Sequence, residues 1–345
     1  MADGNWQMTS SRCGAAAINW LIGAAILAAI AMALVAVFNE DKNGTGSSGL
    51  SPDFKYDLKD LKKTDPSQVL YREAAPIVTG LAHPSALCIG PQDKIFVAGG
   101  KTLHLFDTGG KPLAEITLKA QPTCLAVSAD GLIYAGMRDH IEVIVAQASS
   151  PQPGATAWPG LGERAHLTSL ALVPGGLFAA DAGNRVVIHY DNAGKELGRL
   201  DRKAVAPDGY GFIIPSPYFD IAVGPDGLLH AANTGLYRIE AYKISGEYVS
   251  AWGKMGMDAA GFCGCCNPAH FTILPDGGFV TAEKGLCRVK VYGQEGKFLG
   301  FVAGAELFQK QTDELVVAGL AADSQGRVLL LDPANGNVRV FEKKK

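Results

Sequence analysis

The chain has no surplus of positive charge. Its 345 residues carry a formal net charge of −3 with a pI near 6.2, and no basic surface advertises a nucleic-acid partner, so that class is set aside. No charged residue falls between Cys13 and Phe38. No cysteine directly follows that apolar run; Cys13 precedes it, which argues against a lipoprotein. No small-x-small cleavage site separates Val35-Ala36-Val37-Phe38 from the polar Asn39-Glu40-Asp41, which argues against a removed signal peptide.

What is present in that run is length. Its 26 residues, at about 1.5 Å each in a helix, suffice to cross a hydrocarbon core of about 30 Å. Arg12 lies before it, and Glu40 and Asp41 come first after it, which favours the N-terminus inside and the bulk outside. The expected organisation is a cytoplasmic N-terminus over 1–12, one transmembrane helix over 13–38 and a linker over 39–67. The rest, 68–345, is expected to be globular, held at the cell membrane on the extracytoplasmic, periplasmic side. Asn43-Gly44-Thr45-Gly46-Ser47-Ser48-Gly49 supplies flexibility within the linker.

From about residue 84 the sequence repeats. The unit is an apolar run, a glycine turn, a second strand, a short loop, a third strand ending in an aromatic, another glycine turn and a fourth strand. The third copy shows it fully: Leu170-Ala171-Leu172-Val173, Pro174-Gly175-Gly176, Leu177-Phe178-Ala179-Ala180, Asp181-Ala182-Gly183-Asn184-Arg185, Val186-Val187-Ile188-His189-Tyr190, then Asp191-Asn192-Ala193-Gly194. Later copies carry Pro225-Asp226-Gly227, Pro275-Asp276-Gly277 and Ser324-Gln325-Gly326, and earlier ones diverge around Pro91-Gln92-Asp93 and Ala129-Asp130-Gly131. Six copies result. Glycine at these positions provides the positive φ that tight turns need, and strands apolar on both faces suit blades packed between neighbours. The predicted fold is all-β: a six-bladed β-propeller preceded by a single transmembrane α-helix. The chain ends after three strands of the last blade, so Val69-Leu70-Tyr71 or Pro76-Ile77-Val78 is expected to supply the missing outer strand and close the ring.

The pattern of Asp-Gly, strand, Ala-Asp-x-x-Asn-Arg-Val, strand and Tyr-Asp-x-x-Gly resembles the NHL-repeat family over roughly 69–345. Trp252-Gly253-Lys254-Met255-Gly256, Gly261-Phe262 and Pro268 are similar to that family's linker between blades. The resemblance implies a propeller that serves as a binding platform, a scaffold or, less often, an enzyme, so fold does not settle function.

The linker departs from that pattern by inserting Cys263-Gly264-Cys265-Cys266-Asn267. In propeller geometry such a linker shares a face with the loop between second and third strands, where Cys287 lies in Glu283-Lys284-Gly285-Leu286-Cys287. Cys263, Cys265, Cys266 and Cys287, with His270 at the start of the fifth inner strand, are therefore expected on one face. His83, His166, His140 and Cys124 map to the same face as further candidate ligands. Thiolates and imidazole suit zinc, copper or an iron–sulfur cluster, although the spacing matches no recognised zinc or ferredoxin pattern. Disulfides and a redox-active dithiol are the alternatives.

Three functions compete at this point. The first is a tethered binding or electron-transfer module carrying a metal or redox group and docking a protein partner, such as a membrane redox complex. The second is a metal-dependent lyase or hydrolase, because the alternating placement of His83, His166 and His270 resembles the use of histidines for zinc in the peptidylglycine-amidating lyases. The third is a structural interaction scaffold stiffened by disulfides.

Overall fold

The computed structural model describes residues 63–145, 154–308 and 317–345, together with 24, 26–30 and 32. The chain divides into two compact units, Met1–Asp57 and Leu58–Lys345. In the first, the described residues are helical and their side chains exposed. The segment 1–12 expected to be cytoplasmic, most of the expected span 13–38 and the expected linker up to residue 62 lie outside the described residues. Among the described residues no helix is long and apolar enough to cross a membrane.

The second unit is the expected six-bladed propeller. The blades occupy 84–117, 124–157, 167–200, 221–252, 270–303 and 319–343, and within each the strands pair antiparallel in sequence order from the axis outward. The inner strands are Pro84–Ile89, Cys124–Val127, Leu167–Val173, Ile221–Val223, His270–Ile273 and Gly319–Ala322. Each inner strand contacts the next, and the sixth returns to the first, so the ring is closed. Second strands such as Ile95–Gly99, Leu229–Asn233 and Val328–Asp332 are buried throughout, because a neighbouring blade covers each face.

Closure uses both candidate segments. Tyr71–Glu73 and Ile77–Val78 pair with successive parts of the last strand, Asn337–Lys343, through Tyr71↔Lys343 and Ile77↔Val338, while Val69 bridges Phe301 of blade five. The N-terminal segment thus covers an edge that would otherwise expose a row of unpaired backbone groups. Tyr71 and Phe341 are buried in the core cluster between blades five and six.

Two features of the repeat explain how blades seat against one another. Trp158, following blade two, and Trp252, ending blade four, each lie against the turn glycine of the next blade, Gly194 and Gly296. Both glycines have positive φ, and a Cβ at either would collide with the indole. The outer strands of blades one, three, four and five carry a bulge at an equivalent position. Leu113, Leu197, Val249 and Leu299 are skipped in the pairing register and left exposed. A bulge there twists the edge away and discourages pairing with another chain.

Buried ionic networks hold the connections around blades four and five. Arg202, following blade three, donates to Glu240 at 2.6 and 2.7 Å and to Asp208 at 2.8 and 2.9 Å, and Arg238 bonds both carboxylates. Burial alone would raise the Glu240 carboxyl, but Arg202, Tyr242 and Arg238 together hold it below the usual range. In blade five, Glu283 accepts from Arg288 at 2.8 Å and from Lys290 at 2.9 Å, and Lys290 also donates to the Gly261 carbonyl of the cysteine-bearing linker. Burial lowers the Lys290 ammonium to about 8 against the pull of Glu283.

Candidate functional site at the channel mouth

The six inner strands enclose a central cavity of about 1150 Å³. Several of its hydroxyls are committed to holding blades together. Ser85 donates to the Pro122 carbonyl and Thr168 to the Phe219 carbonyl, both at 2.8 Å, and Ser169 donates to the Ile221 carbonyl at 3.1 Å. Thr123 donates within its own blade to Gly136.

Asp220, just before the inner strand of blade four, makes the corresponding staple to blade five and does more. Its Oδ2 accepts the backbone N–H of Phe271 at 3.2 Å and lies 3.0 Å from Nδ1 of His270. The two side chains are 13% and 14% exposed, so the pair is shielded yet open to the channel. A carboxylate on Nδ1 fixes the tautomer with the proton there and leaves Nε2 as the acceptor. No described residue hydrogen-bonds that Nε2.

Tyr218 stands beside the pair. Its ring meets His270 edge-on with centroids 5.8 Å apart, and Lys284 Nζ lies over it at 5.2 Å and 3.5 Å from Ser216 Oγ. Asn267 holds the Lys284 backbone on both sides, accepting its N–H at 2.9 Å and donating to its carbonyl at 3.1 Å. The same side chain donates to the Cys263 carbonyl, so the inserted linker and the Lys284 loop are one assembly.

The expected ligands separate into those at the channel and those away from it. His270, His166, Cys124 and Cys265 line the cavity. Burial, with help from Arg138, lowers the His166 imidazole against the pull of Asp181. Burial pushes the Cys124 thiol up to about 12 and also raises its neighbour Cys88, so both channel thiols behave as small apolar side chains. Cys263 is half-buried, with its N–H 3.4 Å from Glu283 Oε1; Cys266 is buried; Cys287 is half-buried, its thiol 3.6 Å from the Gly285 carbonyl. His83 is exposed, and His140 pairs with Asp139 at 2.8 Å; neither lines the cavity. Among the described residues no group of three or more His, Cys, Asp or Glu side chains is arranged to hold a metal ion. The donor set therefore does not fit a preformed zinc, copper or iron–sulfur centre. No disulfide joins Cys88, Cys124, Cys263, Cys265 or Cys266. Asn267 of the inserted linker is fully buried, with its amide spent on the clip to Lys284 and on the Cys263 carbonyl.

Tyr218, Asp220 and Lys284 are site residues that sequence reasoning passed over. Lys284 had a usable signal, since it shares with Cys287 the loop already assigned to this face. Asp220 had little, because an aspartate before an inner strand looks like ordinary turn chemistry.

No protein-family model matches the chain, and no curated protein matches it in sequence. Among solved structures its fold is similar to that of a streptogramin B lyase, at 12% identity over 81% of this chain and 100% of that one, with a TM-score of 0.54. It is similar to virginiamycin B lyase from Staphylococcus aureus at 13% identity, over 79% and 99% of the two chains, with a TM-score of 0.53. The WD40 propeller domain of Doa1 aligns at 14% identity over 76% and 79%, with a TM-score of 0.50. Likeness at this level establishes the propeller and nothing finer about chemistry.

Proposed function

We propose that this chain is a membrane-tethered binding propeller whose ligand enters the central channel where Tyr218, Asp220, His270 and Lys284 line the wall. The observation that carries this reading is the Asp220–His270 pair. It sets an imidazole of fixed tautomer against a cavity large enough for a ligand, with a lysine nearby whose backbone is clamped. The apolar run 13–38 supplies the tether and places the propeller outside the cytoplasm. A membrane-associated protein partner fits a platform of this kind. A metal or electron-transfer role for Cys263, Cys265, Cys266 and Cys287 has no support in the donor geometry.

Two measurements test the reading. The full chain should fractionate with membranes, and a chain beginning at residue 64 should not. A small-molecule panel should include compounds that raise the thermal midpoint of the wild type and fail to raise that of His270→Asn. A panel in which every stabilising compound acts equally on both proteins would reject the channel wall as the site.

The same pair favours a second reading, catalysis. With Asp220 on Nδ1, His270 Nε2 can take a proton from a bound substrate, and the carboxylate stabilises the resulting imidazolium. Lyases among proteins of similar fold are compatible with such chemistry. Turnover that falls at least a hundredfold in Asp220→Asn while ligand affinity holds would support it; equal loss of affinity and turnover would not.

A further inference from the structure

The charged groups of the channel wall are unequal. Lys284 is the one lysine or arginine among the described residues lining the cavity, and Asp220 is the one carboxylate. Asp220 is already engaged by His270 and the Phe271 N–H. Among the described residues Lys284 meets no carboxylate. Other cations near these linkers do: Arg202 with Glu240, Arg238 with Asp208, and Arg288 and Lys290 with Glu283. Among the described residues the Lys284 ammonium meets a serine hydroxyl and an aromatic face.

Several of the other polar groups are occupied. Ser85, Thr123, Thr168 and Ser169 spend their protons on backbone carbonyls, so side-chain polar contacts to a ligand fall to Lys284, the imidazoles of His270 and His166, the Tyr218 and Thr272 hydroxyls and the Gln121 amide. The remaining wall is mixed, with Leu87, Ile89 and Leu320 beside Gln121 and Thr272. A cation that meets no carboxylate among the described residues, set against the Tyr218 ring, is complementary to a ligand bearing a single negative charge next to an apolar or aromatic group.

We propose that the channel binds an amphiphilic carboxylate, a small molecule with an apolar or aromatic body whose carboxylate pairs with Lys284 beside Tyr218 and His270. The assignment rests on the channel being the ligand site. The Asn267 clip strengthens it, because holding the Lys284 backbone on both faces removes ordering cost from each binding event. It also gives the inserted linker a task independent of its thiols, which is to present that lysine.

The experiment uses the full chain in lipid nanodiscs, with empty nanodiscs as baseline, and calorimetric titration of 4-phenylbutanoate, its uncharged amide and 4-phenylbutyl phosphate. The acid should bind at least tenfold more tightly than the amide. Lys284→Gln should reduce the acid to the affinity of the amide while leaving the amide unchanged, and Lys284→Arg should retain most of the preference. Raising the salt should weaken the acid and not the amide. Equal binding of acid and amide to the wild type, or an acid preference that survives Lys284→Gln, would overturn the assignment while leaving the channel as a ligand site. A phosphate bound more than tenfold better than the carboxylate would overturn it in favour of a phosphate monoester. Absence of binding by all three would reject both the assignment and the channel reading.

Discussion

Asn267 and Lys284 form a reciprocal clip, with the buried amide side chain accepting the lysine N–H at 2.9 Å and donating to the lysine carbonyl at 3.1 Å. Replacing Asn267 with Ala would leave those groups and the Cys263 carbonyl without partners in a shielded place. The expected loss is about 1–3 kcal/mol of stability, read from urea unfolding, together with weaker binding of any channel ligand. A variant as stable as the wild type would show that water replaces the clip.

Glu240 is the anion that neutralises Arg202, and neither side chain is exposed. Glu240→Ala strands a buried guanidinium with only Asp208 as its carboxylate partner, and should cost about 3–5 kcal/mol. Glu240→Gln keeps the shape and some hydrogen bonds, so it should fall between that variant and the wild type in denaturant midpoint.

Acid should destabilise the propeller from the mildly acidic range. Burial lowers His230, against Asp226, and also lowers His166 and His189. In the unfolded chain these groups titrate near about 6.5, so below that value the unfolded state binds more protons. Stability should therefore be intact above about pH 6.5 and decline as pH falls towards the lower folded values. His230→Gln should flatten part of that decline in thermal midpoints measured between pH 7.5 and 5.5.

Lys290 gives a second, alkaline signature. Its ammonium titrates at about 8 when folded, against about 10.4 in the unfolded chain. Between those values the unfolded state again binds more protons, so stability relative to Lys290→Met should rise with pH across that window. A difference that stays flat, measured by urea unfolding at pH 7.5, 9 and 10, would place Lys290 in a better-solvated site.

Ring closure depends on residues that precede the first blade. Ile77→Asp puts a charge against Val338 and Ile95 in the core cluster between blades six and one, and should cost several kcal/mol. Removing residues 1–79 should abolish cooperative unfolding and yield aggregates by size-exclusion chromatography, because the last blade would present a bare edge.

The blade pattern was legible because its causes are local. Glycine turns such as Asp226-Gly227 and Asp276-Gly277, strand alternation and terminal aromatics such as Tyr190, Tyr242 and Tyr292 repeat within each copy and are visible without knowing what packs beside them. The bulges at Leu113, Leu197, Val249 and Leu299 were not legible, since an apolar residue in an outer strand looks the same whether it pairs or is skipped. The candidate site was half legible. His270 was expected on the linker face and stands on the channel there, whereas the cysteines drew attention that the geometry transfers to their neighbours Asn267 and Lys284.

The sequence by itself therefore determined the six blades and the closing strand, because each follows from short-range turn chemistry and from an incomplete last repeat. Only the tertiary structure decided that Asp220, just before one blade, would orient His270 of the next, and that Lys284 would stand over Tyr218. Those relationships join blade five to the segment that leads into blade four, and they exist only once the neighbouring blades have packed side by side.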